Sequence, residues 1–405
     1  MTESNAFYRE RLDRRIPWGT STCAKRATLT PDEPSVVVSG KGCRVRDADG
    51  REFIDFRCAL GPITLGYAHP EVDAAIRLQL DSGMVFGYPH PLEAEVAELL
   101  CEVVPCAEKA RFLKTGGEAV AACVKIARAA TGRDHVIQIG YNGWLNSLAA
   151  GGMALPGRAA AATPPGVPAA LAALHHVCRW NDPEQLEALG REMEGRLAAV
   201  VVAADYETME AGQTFYPLLR SFADRHGAAL VFDEIVTGFR IALAGAQEYF
   251  QVAPDMAVFA KGVANGMPLA VYCGRAAWMD ALDKAIVSST YGGEALSLAA
   301  AKTVVGIYRR EPVIDRLWKA GKTMWEGMDG LFRRYGVPAR MDAPRPVSFC
   351  RFRPEAGPDL PGRVARAMCR AGLLFYGGGG YVNYAHGDAD LAEALERAET
   401  GLKGL

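Results

Sequence analysis

The chain has 405 residues, with 45 basic against 47 acidic side chains and a formal net charge of −2, which excludes the concentrated basic footprint that nucleic-acid binding requires. Half of the residues are apolar and 23% are charged, the composition of a globular enzyme, and the length favours two domains. No uninterrupted apolar stretch reaches membrane-spanning length, the first residues lack the core of a signal peptide, and the ten cysteines form no CxxC pair. The expectation is a cytoplasmic protein with reduced thiols, no disulfide framework, no metal and no membrane partner.

In chain order, a basic pair at Lys25-Arg26 precedes a hairpin over 43–56, where alternating strands flank the turn Asp49-Gly50. Short apolar runs then alternate with amphipathic stretches, the pattern of an α/β fold with a mostly parallel sheet. Strands are predicted at 135–140, 197–205, 228–235 and 256–262. Helices are predicted at 184–194, 216–225, 298–310 and 313–335. A strand at 346–353, a Gly-rich turn at 376–381 and a last helix from Asp388 complete the chain. The Gly-, Ala- and Pro-rich stretch 149–168 reads as a long binding loop or lid. The histidines show no metal-ligand spacing.

Three places carry chemistry. In 111–133 an apolar strand ends at Leu113, the pair Gly116-Gly117 follows, and a helix opens near Glu118. A helix N-terminus there offers unpaired N–H groups and positive potential to an anion. In 229–240 an apolar run ends at Asp233-Glu234, placing carboxylates at the carboxyl edge of the sheet, where ligands of open α/β sheets bind. In 254–270 Lys261 directly follows another buried run, and burial favours the neutral amine of Schiff-base chemistry. Each feature alone has an ordinary structural reading. Together they supply a phosphate site, a partner for a pyridinium nitrogen and an amine, the three groups that pyridoxal 5′-phosphate (PLP) asks of a protein. Tyr141 and Ile235 are placed to cover the faces of such a ring.

The segments 40–56, 65–72, 233–240, 260–270, 289–301 and 383–391, occurring in this order, resemble the class III aminotransferases, and among them glutamate semialdehyde aminomutase and its aminotransferase relatives. The resemblance spans nearly the whole chain, from about Pro17. It implies a fold-type I PLP transferase with a large domain built on a mostly parallel, seven-stranded type of sheet. A smaller α+β domain would come from both chain ends. The division expected is 61–296 for the large PLP-binding domain, with 1–60 and 297–405 forming the small one. It also implies a homodimer with shared active sites. Lys261 would carry PLP as a Schiff base and move the α-proton, with pyridoxamine 5′-phosphate formed in the half-reaction. Asp233 would hold the ring nitrogen, Gly116 and Gly117 the phosphate, and Tyr141 and Ile235 the ring. Thr290 would reach the phosphate from the neighbouring subunit.

The chain also departs from the pattern. Ser-Gly-Thr is Thr115-Gly116-Gly117, Tyr-His-Gly is Tyr141-Asn142-Gly143, Glu-Pro is Ala203-Ala204, and Gly-Asn-Pro is Gly293-Glu294-Ala295. Lys25 stands where the aminomutase has an arginine for the substrate carboxylate, and a lysine lacks its bidentate fork. The expected activity is therefore amino transfer between an amino donor and a keto or aldehyde acceptor. Intramolecular aminomutation and PLP-dependent racemisation or epimerisation are the alternatives, and a degenerate binding subunit is a minor one. A nicotinamide oxidoreductase ranks below all of these, because no GxGxxG follows an early strand.

Overall fold

The computed structural model describes residues 4–145, 165–343 and 345–405. The expected lid at 149–168 lies largely outside them. The chain divides into two compact units, one formed by the residues up to Pro70 with Pro312–Leu405, the other by Glu71–Glu311.

The first unit opens with helix α1 (Asn5–Arg15) and the strands β1 (Val37–Lys41), β2 (Arg44–Asp47) and β3 (Glu52–Asp55). The hairpin β2–β3 is antiparallel, with Arg46 opposite Glu52. Its turn is organised by Asp47, whose Oδ1 accepts the N–H groups of Asp49 at 3.0 Å and Arg51 at 2.8 Å. Only Gly50 takes a positive φ there, at 82°, so glycine alone carries the left-handed position. Val45 and Phe53 face inward and pack with Cys369 and Leu374.

Helices α2 (Pro70–Ser82) and α3 (Pro91–Val103) lead into the second unit. Its strands are β4 (Lys109–Leu113), β5 (His135–Ile139), β6 (His175–Cys178), β7 (Leu197–Val202), β8 (Ala229–Asp233), β9 (Met256–Phe259) and β10 (Ala270–Gly274). They form one sheet in the order β4-β10-β9-β8-β7-β5-β6. All neighbours run parallel except β10, which is antiparallel to both β4 and β9. Every residue of β7, β8, β9 and β10 is buried, which is why these strands read as continuous apolar runs. Helix α4 (Gly116–Thr131) lays Val120, Cys123, Val124, Ile126 and Ala127 into the core on this sheet. The helix Ala295–Arg310 packs along α3, so the chain stays in this unit as far as Glu311.

The returning segment completes the first unit. It contributes the helix Val313–Arg334, short strands β11 (Ala339–Met341), β12 (Val347–Ser348), β13 (Cys350–Phe352), β14 (Leu373–Leu374) and β15 (Gly380–Tyr381), and the final helix Asp388–Lys403. β14 pairs in parallel with β3. The single strand expected at 346–353 is split, because the chain changes partner at Phe349. Ser348 pairs with Gly380, whereas Cys350 pairs with Met341. Among the described residues, no helix is long and apolar enough to cross a membrane.

Candidate active site

The parallel strands end at a common edge, and the chemistry is gathered there. After β4, Thr115 caps α4 through a reciprocal box. Its hydroxyl accepts the Glu118 N–H, and Glu118 Oε2 accepts the Thr115 N–H at 2.8 Å. The helix thus opens at Gly116, two residues earlier than the sequence pattern suggested. The cap satisfies the flanking donors, while the N–H groups of Gly116 and Gly117 make no hydrogen bond among the described residues. A Cβ at Gly116 would stand 2.3 Å from Ile235 Cδ1, so only glycine lets that side chain close over the turn.

Asp233 is the last residue of β8 and is 8% exposed. Its Oδ1 accepts the Ile235 N–H at 3.0 Å. Burial pushes its carboxyl up to about 6, against that N–H, the Lys261 charge and the Asn142 amide, which pull it down. Glu234 beside it is also buried, but has a structural task. It accepts the N–H groups of Ala246 at 2.7 Å and Gln247 at 3.0 Å and the hydroxyl of Thr237.

Lys261 follows β9 after one residue. Burial, and then the positive charge of Arg240, lowers its amine to about 8, with Asp233 opposing. Its backbone takes φ 48°, in the left-handed region. A non-glycine residue held there is strained, and such strain collects at functional sites. The turn Lys261–Ala264 is clamped beneath the helix Ala295–Arg310, where Ser297 Oγ donates to Pro268 O at 3.2 Å.

One cavity of about 280 Å³ brings together Thr115, Gly116, Gly117, Tyr141, Asp233, Ile235 and Lys261. It also takes in Trp144, Ala203, Ala204, Tyr206 and Val236. Of these, Trp144 and Tyr206 were not singled out from the sequence; their signal was only proximity to strand ends. Thr290 is exposed and is not among the residues lining this cavity. Lys25 belongs to the other unit, where it lines a separate cavity of about 610 Å³ with Asp55, Arg57 and Tyr67.

Residues 28–341 match the family described as Aminotransferase class-III. The chain belongs to that family. A glutamate-1-semialdehyde 2,1-aminomutase of Dechloromonas aromatica (strain RCB) is 29% identical over the full length of both chains. Among solved structures, the FumI protein of Sphingopyxis sp. MTA144, in its PLP internal aldimine form, superposes with a TM-score of 0.91. It is 26% identical, covering 99% of this chain and 96% of that one. An omega-transaminase from Sphaerobacter thermophilus gives 0.88 at 25% identity, covering 99% and 97%. The fold is that of the fold-type I PLP transaminases, and this class III aminotransferase is an enzyme of transamination or aminomutation.

Pyridoxal phosphate fits the residues present in this class III aminotransferase. Two uncommitted N–H groups open a capped helix, an acid is buried at one strand end, and an amine depressed toward neutrality lies at the next. The hydroxyl lost where glycine stands at 117 leaves both backbone donors in place.

Proposed function

We propose that the cavity at the carboxyl edge of the large unit binds pyridoxal 5′-phosphate and that the enzyme transfers an amino group from an amino donor to a keto or aldehyde acceptor. The observation that carries this reading is the pairing, in one cavity, of a buried carboxyl raised to about 6 with a partly buried amine lowered to about 8. Between these values the acid is ionised and the amine is readily neutralised, the combination that acid–base work near neutral pH demands.

When bound, the cofactor supplies the electron sink that makes a Cα–H bond of the substrate acidic. The protein does the rest. Gly116 and Gly117 hold the phosphate on their N–H groups, aided by the α4 dipole. Asp233 keeps the ring nitrogen protonated through a charge-assisted hydrogen bond. Tyr141 and Ile235 cover the ring. Lys261 Nζ would hold the cofactor and, as a free amine, would take the proton from the substrate α-carbon and deliver it to the cofactor carbon that had borne the lysine. Methyl groups at Ala203 and Ala204 leave the wall at the end of β7 apolar.

Thr290 completes the phosphate site of a neighbouring copy in a homodimer. The ten free thiols suit a reducing cytoplasm. Aminomutation is the second reading, favoured by the full-length match to an aminomutase. Product analysis separates the two, since only transamination consumes a keto acceptor.

The first test is the visible spectrum of the purified protein, followed by borohydride reduction and peptide mapping. An absorption band lost on reduction, with the adduct on Lys261, is expected. A protein that stays colourless with added pyridoxal phosphate would overturn the proposal. Size-exclusion chromatography with light scattering tests the dimer.

A further inference from the structure

Glu294 stands where the chain departs from the Gly-Asn-Pro pattern, and it opens the helix Ala295–Arg310. Its carboxylate caps that helix, Oε1 accepting the N–H groups of Leu296 at 2.6 Å and Ser297 at 3.3 Å. Its other oxygen, Oε2, accepts the Lys114 ammonium at 2.9 Å. Lys114 lies between the end of β4 and Thr115, directly before the glycine turn. Among the described residues its ammonium makes no other hydrogen bond. The two side chains are only 17% and 13% exposed, so salt screens the pair little. The segments come this close because residue 292 is glycine, where a Cβ would stand 2.6 Å from Phe112 O on β4.

Two charges drawn from water need further hydrogen bonds to persist, and Glu294 has them. Burial opposes its ionisation, yet the Ser297 hydroxyl and the Lys114 ammonium hold its carboxyl below the ordinary range. The buried Ser297 hydroxyl lies 2.6 Å from Glu294 Oε2 and 3.2 Å from Pro268 O, sharing one proton between them. Pro268 belongs to the loop that follows Lys261. Glu294 is therefore tied to the residues before the glycine turn and, through Ser297, to the loop after the lysine. Thr115 is held on the helix side by Glu118, and Lys114 adds the tie on the other side.

We propose that Lys114 and Glu294 are paired positioning residues that fix the separation between the Gly116-Gly117 turn and Lys261. The assignment rests on the cofactor reading above. A ligand gripped at two points gains from both only when both can be reached at once, and pyridoxal phosphate is gripped by its phosphate on the turn and its aldehyde carbon at Nζ. Pyridoxal, which lacks the phosphate, is held at the lysine end alone and should not depend on the separation.

The test compares wild type, Lys114→Met, Glu294→Gln and the double variant. Read-outs are the dissociation constants of pyridoxal phosphate and of pyridoxal, by spectral titration of the apoprotein, and its urea unfolding midpoint. Each single variant should weaken pyridoxal phosphate binding by about three- to tenfold, with pyridoxal binding unchanged. The double variant should be no weaker than either single one, because both remove the same bridge. Equal losses for the two ligands, additive losses in the double variant, or a lower unfolding midpoint with unchanged affinity would make the pair merely structural and overturn the proposal. Weaker binding in Lys114→Met with tighter binding in Glu294→Gln would make Lys114 a phosphate ligand and overturn it too. If Lys114→Met does not fold, Glu294→Gln, which keeps an oxygen to cap the helix, decides with the same two ligands. A wild type that takes up no pyridoxal phosphate would instead overturn the cofactor reading, and this assignment with it.

Discussion

Two places, one in each unit, treat charge in opposite ways. In the small unit, Arg44 reaches Asp390 and Glu393, each at 2.6 Å, and its guanidinium holds the Glu393 carboxyl below its ordinary range. Arg370 does the same for Asp32 at 2.8 Å. Charges there are matched with partners and left near water. In the large unit, Asp233 is buried and Lys261 partly buried at neighbouring strand ends, and among the described residues they share neither a hydrogen bond nor an ion pair. Burial pushes the acid up and the base down. Charge near solvent thus makes a framework, while charge kept under-satisfied in a cavity is reactive.

That contrast can be broken most severely at Lys261. Lys261→Ala should lower amino-transfer turnover by about 10²–10⁴-fold while the melting temperature of the apoprotein does not fall. A drop in stability of comparable weight would make the lysine a structural charge like those of the small unit.

Asp233→Asn should weaken pyridoxal phosphate binding by roughly 10–100-fold, measured by spectral titration of the apoprotein. It should also change how stability follows pH. Folding raises the carboxyl from its ordinary 3.8 to about 6, so between these values the native state holds a proton that the unfolded chain has released. The wild-type apoprotein should therefore lose stability relative to Asp233→Asn as pH climbs through this window, by on the order of 3 kcal/mol. Above it the difference should stay constant, as denaturant melts at several pH values would show.

Gly116→Ala drives a methyl group into Ile235 and should destabilise the large unit by about 1–3 kcal/mol, with weaker cofactor retention, read by urea unfolding and dialysis. Arg44→Ala should have the smallest effect, within about 1 kcal/mol, and leave the cofactor spectrum unchanged. A changed spectrum would show that the framework charges of the small unit also tune the site.

The large unit was the more legible in sequence because its strands are buried on both faces. Runs such as Leu197–Val202 and Ala229–Asp233 announce themselves by composition, and the abrupt Asp233 and Lys261 mark where they end. The antiparallel strand Ala270–Gly274 was not distinguished, since an apolar run carries no sign of its direction. The small unit's strands of two or three residues are too short for periodicity to act on, and its pairing of β3 with β14 joins distant segments. The helix Gly212–His226 begins before the residue from which the pattern was read, despite Pro217 inside it. The burial of Asn142 and the influence of Arg240 on Lys261 are tertiary facts. Local pattern holds neither, because each depends on which strand ends lie side by side.

The strand order has a bearing on biosynthesis. Among the described residues β4, which leads into the glycine turn at Gly116, has a single neighbour in the sheet, β10. The strand before the glycine turn cannot pair into its sheet until Gly274 has left the ribosome, after both Asp233 and Lys261 have been made. Non-local pairing of this kind is slow and follows synthesis rather than accompanying it. A nascent chain stalled before β10 would carry every cofactor-binding residue of its own with β4 still unpaired, so the enzyme should hold the cofactor firmly only late in its maturation.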